Sequence, residues 1–422
     1  MHRLFLPSLL LLASALPAAA ETKTSQLPPQ ARLAIIGDSI TEQKLYSKYV
    51  ETYILACAGR SDVKVFQFGW SGETAGGFNT RMENDLAVFK PTVATTCYGM
   101  NDGRYVPFQE GIGAEYEKQM RSILTKFTQL GVTHVVAGSP GAVDTKFFSR
   151  PNGTTPAAYN DSLAHLRDID KKLAGEFKTA FANVHDEMID AMAKAKKALG
   201  EDYDVCGRDG VHPGANGQLL MASAFLKGLG LDGNIGTLVV DMAGKGTASE
   251  GHKVIESAKG QLDLESTKYP FCFEGDEKSS GGTRSILPFC DFNEKLNRLT
   301  LQVKGLTAAK ARVTWGTESK EFTKEQLTAG INLAAEFSKT PFDAAFAKFS
   351  GAVAAKQSYE TPMIKTFITN FRTFAADAKE DPEFGGALEV LKKKLLSKQE
   401  KLDATARTAL VPVKHTIRVE AL

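Results

Sequence analysis

Long apolar runs are nearly absent from this 422-residue chain. Past residue 20 no segment approaches the ~20 apolar residues that a membrane-spanning helix needs, which excludes a bundle of such helices. Charge of one sign is lacking too: 51 Lys and Arg stand against 49 Asp and Glu, a formal net charge of +2. That balance leaves no electrostatic footprint for nucleic acid or an anionic membrane as partner. Cysteine is sparse, and a count of 5 is odd, so at least one thiol stays unpaired. Cys57 and Cys97 sit in apolar segments and read as buried small hydrophobes. Cys272 and Cys290 lie in near-identical Pro-Phe-Cys contexts and are candidates for pairing across a Gly/Ser-rich loop. Neither paired histidines at helical spacing nor Cys-x-x-Cys occurs, so the usual metal-ligand spacings are missing. There is no internal repeat and no long low-complexity segment. What is present is a globular composition, 43% apolar and 24% charged, in a chain long enough for two or three domains.

The exception to the apolar scarcity is the start of the chain. Arg3 is followed by an apolar stretch from Leu4 to Leu16 and by Ala18-Ala19-Ala20 before Glu21. A basic residue, a short apolar run and a small-residue cleavage site make an export signal over residues 1–20, cut after Ala20. The expectation is a secreted or periplasmic protein with no stable membrane anchor after cleavage.

From Arg32 to Leu231 short apolar runs alternate with amphipathic stretches. Leu33–Ile36, Val63–Phe68, Thr92–Tyr98, His134–Ala137 and Phe181–His185 read as strands. Leu45–Ala58, Arg81–Phe89, Tyr116–Leu130, Ala157–Phe177 and Gly217–Leu226 read as helices. Strands alternating with helices predict an α/β fold, a parallel sheet covered on both faces. Ligands in such folds bind beyond the carboxyl ends of the strands. The pattern then changes. Leu299, Leu301 and Val303 alternate with polar residues, as do Val313 and Trp315, which predicts a half-buried antiparallel region. Helical periodicity returns from Pro341, and Val413, His415, Ile417 and Val419 alternate again. The domains expected are 27–232, then a β-rich region over 233–340 completed by 411–422, with a helical insertion over 341–410.

Four short segments carry the chemistry, each beside an expected strand end or helix start. Gly37-Asp38-Ser39 follows the first strand, where a Ser on a tight turn is exposed as a nucleophile; alone, it is more often a helix N-cap. Gly69-Trp70-Ser71-Gly72 follows the second strand, and its glycines let backbone N–H groups approach a ligand; alone, it is a Gly-rich loop. Gly99-Met100-Asn101-Asp102 follows the third strand and offers an amide donor; alone, it is turn chemistry. Asp209-Gly210-Val211-His212-Pro213 precedes the last helix. Of the 7 histidines only His212 has an acidic residue three positions earlier, the spacing that lets a carboxylate orient an imidazole. His134, His185 and His415 belong to strands or strand ends and read as structural. Together the four segments converge on one sheet edge, which favours a catalytic reading.

These segments resemble blocks I, II, III and V of the SGNH hydrolase superfamily, the GDSL-like esterases and lipases, over roughly Arg32 to Leu231. The resemblance implies a flavodoxin-like three-layer α/β/α domain. It implies Ser39 as nucleophile, His212 as base and Asp209 as its orienting acid. The oxyanion hole would be made by the Ser39 N–H, Gly72 and Asn101. Ile40-Thr41 stands where the name-giving motif has Ser-Leu. No cofactor and no metal are called for. Trp70, Arg104 and Tyr105 are candidate substrate contacts, Trp70 as a stacking wall for a sugar and Tyr105 equally as scaffold. The substrate expected is a small-molecule or polysaccharide ester, above all O-acetyl groups on carbohydrate. A lipase- or thioesterase-like acyl hydrolase and a glycan-binding protein with a relic hydrolase fold are the alternatives.

Overall fold

The computed structural model describes residues 27–422, and the expected export signal lies outside the described residues. β1 (Arg32–Gly37), β2 (Lys64–Gly69), β3 (Val93–Cys97), β4 (His134–Gly138) and β5 (Ala180–Ala182) form one parallel sheet in the order β2-β1-β3-β4-β5. This is the flavodoxin-like doubly wound order, with its switch point between β1 and β3. Leu33, Ala34, Ile35 and Ile36 are all fully buried, because a central parallel strand is covered on both faces and reads as a continuous apolar run.

The connections are α1 (Ser39–Glu42), α2 (Tyr46–Thr52), α3 (Ala75–Phe89), α4 (Glu110–Gln129), α5 (Pro156–Phe177), α6 (Val184–Leu199) and α7 (Ala215–Gly228). Successive β1 side chains point to opposite faces. Leu33 and Ile35 join a core with α2, α6 and α7. Ala34 and Ile36 join another with α3, α4 and the Leu166 and Leu173 side of α5. The result is the expected three-layer α/β/α arrangement. Helix starts differ from the periodicity reading. α3 begins at Ala75 rather than near Arg81, because the Thr74 hydroxyl accepts from the Gly77 N–H at 3.2 Å and caps the helix. Gly76 and Gly77 hide that first turn from a propensity argument. The Phe181–His185 run is split: β5 ends at Ala182, and Asn183 caps α6 by accepting from the Asp186 N–H.

β6 (Asn234–Asp241), β7 (Thr247–Ala248), β8 (His252–Ala258), β9 (Gln261–Ser266), β10 (Arg298–Lys304), β11 (Lys310–Trp315), β12 (Glu318–Thr323), β13 (Ile331–Asn332) and β14 (Val413–Ala421) build two further sheets. Their orders are β13-β10-β6-β7 and β12-β11-β14-β9-β8. The expectation of an all-antiparallel region needs one correction, since β6 and β10 pair in parallel. The chain between them forms the β8–β9 hairpin and a return across α7's neighbourhood, so β10 re-enters in the direction of β6. Cys272 and Cys290 are both free thiols. Each donates to a nearby carbonyl, Pro270 O and Leu287 O respectively.

Between β13 and β14 the chain forms a helix over Asp343–Pro362, a π-helical turn over Met363–Thr369 and a long helix over Pro382–Ala409. The two long helices meet where Gln399 Nε2 donates to Glu360 Oε1 at 2.8 Å. The insertion lies on the α/β sheet through a fully buried network: Lys356 pairs with Glu51 at 2.8 Å and Glu360 at 3.0 Å. Thr361 donates to Gln67 Oε1 at 3.1 Å, on β2. Apolar Met363, Ile364, Phe367 and Ile368 pack into the α3–α4 core.

Candidate active site

Ser39 stands at the carboxyl end of β1, beside the switch point. A Cβ on Gly37 would lie 2.2 Å from Thr41 Oγ1 and 2.7 Å from Cys97 O, so only glycine permits so sharp an exit from the strand. The N-cap of α1 is Asp38, whose Oδ1 accepts from the Ile40 N–H at 2.9 Å. That leaves the Ser39 hydroxyl out of capping and 2.9 Å from His212 Nε2. Burial, opposed by the Ile40 N–H and reinforced by nearby Asp102 and Glu73, pushes the Asp38 carboxyl up to about 7.

His212 reaches Ser39 from the loop before α7. Its Nδ1 lies 2.5 Å from Asp209 Oδ2, and Asp209 Oδ1 accepts from the N–H groups of Val211 (3.0 Å) and His212 (2.9 Å). Burial raises the Asp209 carboxyl. The His212 ring and the two N–H donors outweigh that and hold it below the ordinary carboxylate range. The loop needs Gly210, which has φ of 77° and whose Cβ would meet Phe148 backbone at 2.3 Å. The other sequence-considered histidines have other partners. His185 is buried between Asp186 and the Asn160 carbonyl, and His415 accepts from Trp315 Nε1.

The second and third loops are tied together under the site. Trp70 N–H donates to Gly37 O at 3.0 Å, anchoring the β2 loop to the end of β1. Gly72 has φ of 73° and nothing within 4 Å of where its Cβ would be, so its side faces open space. The buried Glu73 carboxylate receives Arg81 at 2.7 Å and the Tyr98 hydroxyl at 2.7 Å. Asp102 accepts from the N–H groups of Ala75 (2.9 Å) and Gly99 (3.0 Å), bridging the two loops. Burial, offset by those N–H groups and raised further by Glu73, puts its carboxyl at about 6. Asn101 donates from Nδ2 to Glu73 O at 3.0 Å and accepts at Oδ1 from the Tyr105 hydroxyl at 3.1 Å.

The three candidate substrate contacts separate in position. Trp70 lines a cleft of about 340 Å³ with Ser71, Gly72, Thr80, Asn370 and Arg372, the last two from the helical insertion. Its ring is already engaged by Arg81 (4.9 Å from the centroid) and Lys365 (4.8 Å). Arg104 lines a smaller cavity of about 130 Å³ behind Asn101. Tyr105 is half-buried, stacks on Tyr159 at 5.1 Å and Phe148 at 6.4 Å, and spends its hydroxyl on Asn101. Arg104 and Tyr105 both adopt φ of 56°, a left-handed pair that turns the chain back over the site. The bridging role of Asp102 and the Tyr105–Asn101 bond escaped sequence reasoning, although Asp102 stood within the third segment.

Residues 35–220 match the GDSL-like lipase/acylhydrolase family. An acetylxylan esterase of Geobacillus stearothermophilus is 25% identical over 223 residues, covering 48% of this chain and 94% of that protein. A gut microbial diltiazem-metabolizing enzyme is similar in structure over 95% of this chain and 100% of its own, with a TM-score of 0.73 at 19% identity. That likeness extends the shared fold through the β-rich sheets and the helical insertion. The crystal structure of the Geobacillus stearothermophilus acetylxylan esterase covers 49% of this chain and 97% of its own, with a TM-score of 0.40 at 22% identity.

Proposed function

We propose that this chain, which belongs to the SGNH hydrolase superfamily through its GDSL-like acylhydrolase residues 35–220, is an exported serine esterase that removes acetyl groups from O-acetylated carbohydrate. Family membership makes it a carboxylic ester hydrolase. The serine-nucleophile reading is carried by one observation, the unbroken hydrogen-bond chain from Ser39 Oγ through His212 to Asp209.

A serine hydroxyl is a poor nucleophile at neutral pH without an adjacent base. His212 Nε2 takes the Ser39 proton as Oγ attacks the ester carbonyl, and then gives it to the departing sugar oxygen. The acetyl group is left on Ser39. Water, deprotonated by His212, attacks it next, and acetate leaves as Ser39 recovers its proton. Asp209 stays ionised throughout and stabilises the imidazolium that forms. The Ser39 N–H, the Gly72 N–H and the second Nδ2 hydrogen of Asn101 are the donors for the oxyanion.

The carbohydrate reading rests on the cleft beside Gly72. Its Ser71, Thr80, Asn370 and Arg372 present hydroxyl, amide and guanidinium groups, which suit a polyhydroxylated alcohol better than a long acyl chain. The named activity of the Geobacillus relative points the same way. Export rests on residues 1–20 alone. A fluorophosphonate probe should label Ser39 and fail to label Ser39→Ala, and the wild-type chain should release acetate from acetylated polysaccharides. Undiminished labelling in Ser39→Ala would remove the nucleophile. Hydrolysis of long-chain acyl esters with no acetate release from any acetylated glycan would replace the substrate class.

A further inference from the structure

The tip of the oxyanion loop carries no side chain that could anchor it, and the space a Cβ on Gly72 would fill is empty. Its neighbour Ser71 is exposed, yet the Ser71 N–H donates to a carboxylate, Glu42 Oε2. Glu42 is the last residue of α1, three positions after Ser39, so the group that fixes the loop is rigidly tied to the nucleophile. The Glu42 carboxylate is in turn gripped by Lys365, whose Nζ lies 2.9 Å from both Oε1 and Oε2. The same ammonium stands 4.8 Å from the centroid of Trp70, the residue before Ser71. Lys365 therefore holds the loop from two sides, through Glu42 and through Trp70.

Lys365 comes from the helical insertion, 323 positions away in the chain. It sits in the π-helical turn Met363–Thr369, a widened turn of the sort that recurs at functional sites. That turn is pinned independently: Thr369 donates to Asp85 at 2.8 Å and Asn84 donates to Ile368 O at 2.9 Å. Upstream, the buried Lys356–Glu51 pair fixes the helix leading into it. The ammonium thus arrives at Glu42 on a rigid support.

We propose that Lys365 is a positioning residue for the oxyanion hole, acting through Glu42 and Trp70 on the Ser71–Gly72 backbone, so that the helical insertion is part of the esterase's active site. The proposal rests on the esterase reading above. Lys365 pairs with the Glu42 carboxylate, and the Lys44 ammonium donates to the Glu42 backbone carbonyl. Burial raises the Glu42 carboxyl, but the Ser71 and Lys365 hydrogen bonds bring it below the ordinary range. Loss of Lys365 releases part of that depression.

The test compares Lys365→Met, Lys365→Arg, Glu42→Gln and Arg407→Ala on phenyl acetate. Arg407 ties the far end of the insertion to Ser61 O and Val63 O and lies away from the loop. Lys365→Met should lower kcat by about 10-fold with KM little changed, less than the 10²–10³-fold cost of deleting an oxyanion donor outright. Lys365→Arg should restore most of kcat. Glu42→Gln should lower kcat, and adding Lys365→Met to it should lower kcat little further, because both act through one contact. Arg407→Ala should lower the melting temperature while kcat stays at the wild-type value. An unchanged kcat in Lys365→Met, or a fall in Arg407→Ala matching that of Lys365→Met, overturns the proposal. An inactive wild-type chain overturns the esterase reading and the proposal with it.

Discussion

An asparagine amide has two donor hydrogens and two acceptor lone pairs. At Asn101 one hydrogen goes to Glu73 O and the oxygen takes the Tyr105 hydroxyl, which leaves one hydrogen to spare. That bonding also fixes which way round the amide stands, with Nδ2 rather than Oδ1 on the Glu73 side. Under the proposed mechanism Asn101→Ala should therefore lower kcat by roughly 10²–10³-fold with little change in KM, since the spare donor would meet charge that develops only in the transition state. Tyr105→Phe keeps the ring stack and removes only the hydroxyl, so it should lower kcat by about 10-fold or less, again without a KM change. Steady-state kinetics on phenyl acetate reads both, and a KM effect at Tyr105 would return it to substrate contact. The contact of Ser39, His212 and Asp209 was legible because each lies in a short local segment beside a strand end or helix start, and Gly72 and Asn101 were singled out on the same ground. Glu42 and Lys365 were not, because nothing local ties two residues so far apart in the chain. Tyr105 was legible as a site neighbour, but not as the partner of Asn101, since that bond depends on two consecutive left-handed residues.

Among the elements, the strands of the parallel sheet were the most legible, because burial on both faces writes itself as Leu-Ala-Ile-Ile or Val-Ala-Thr-Thr-Cys runs. Helix starts were less so: α3 and α4 both open on glycine-containing turns that periodicity discounts. Pairing direction was the least legible, since the Leu299–Val303 alternation is the same whether β10 runs parallel or antiparallel to β6. The C-terminal sheet also hides a polar device that alternation alone does not reveal. Ser266 Oγ sits between His252 Nδ1 at 2.8 Å and His415 Nε2 at 2.9 Å, and His415 Nδ1 accepts from Trp315. Burial, with a smaller push from His252, takes the His415 imidazole down to about 3, and burial lowers His252 as well. The His415 ring is neutral when folded and protonates near its ordinary value when unfolded. Unfolding therefore takes up protons as pH falls below ~6.5, and stability is lost in that direction. His415 alone should cost about 2 kcal/mol between pH 7 and pH 5, at roughly 1.36 kcal/mol per pH unit below ~6.5. Denaturant titrations at the two pH values should show this loss, and His415→Gln should reduce it. A loss of equal size in His415→Gln would place the acid sensitivity elsewhere.

At the scale of the whole molecule, the two kinds of sheet share one core. Leu33 and Ile35 of β1 belong to the same continuous apolar cluster as Leu299 and Leu301 of β10, Trp315 of β11 and Ile417 of β14. Polar contacts cross the same boundary: the Tyr53 hydroxyl donates to Leu296 O at 2.6 Å, and the Tyr269 N–H donates to Ala56 O at 2.9 Å. The last strand to be made, β14, lies in the middle of its sheet between β11 and β9. That sheet is therefore complete only with β14 seated between β11 and β9. Cooperative unfolding of the whole chain follows, because opening either sheet exposes apolar surface of the other. The two tryptophans of the chain allow a direct test, since Trp70 lies in the loop after β2 and Trp315 is fully buried in the C-terminal sheet. In Trp70→Phe, fluorescence follows Trp315 and hence the C-terminal sheet, while residual ester hydrolysis follows the catalytic sheet. The two midpoints on heating should agree within about 2 °C, as coincident probes do for a single cooperative unit. A chain ending at residue 411 should lose both signals together, since removing β14 leaves β9 and β11 as unpaired edges over an open core. If that truncated chain kept its hydrolysis, or if fluorescence and activity melted at well-separated temperatures, the α/β sheet would stand on its own and the shared core would not be what holds the active site.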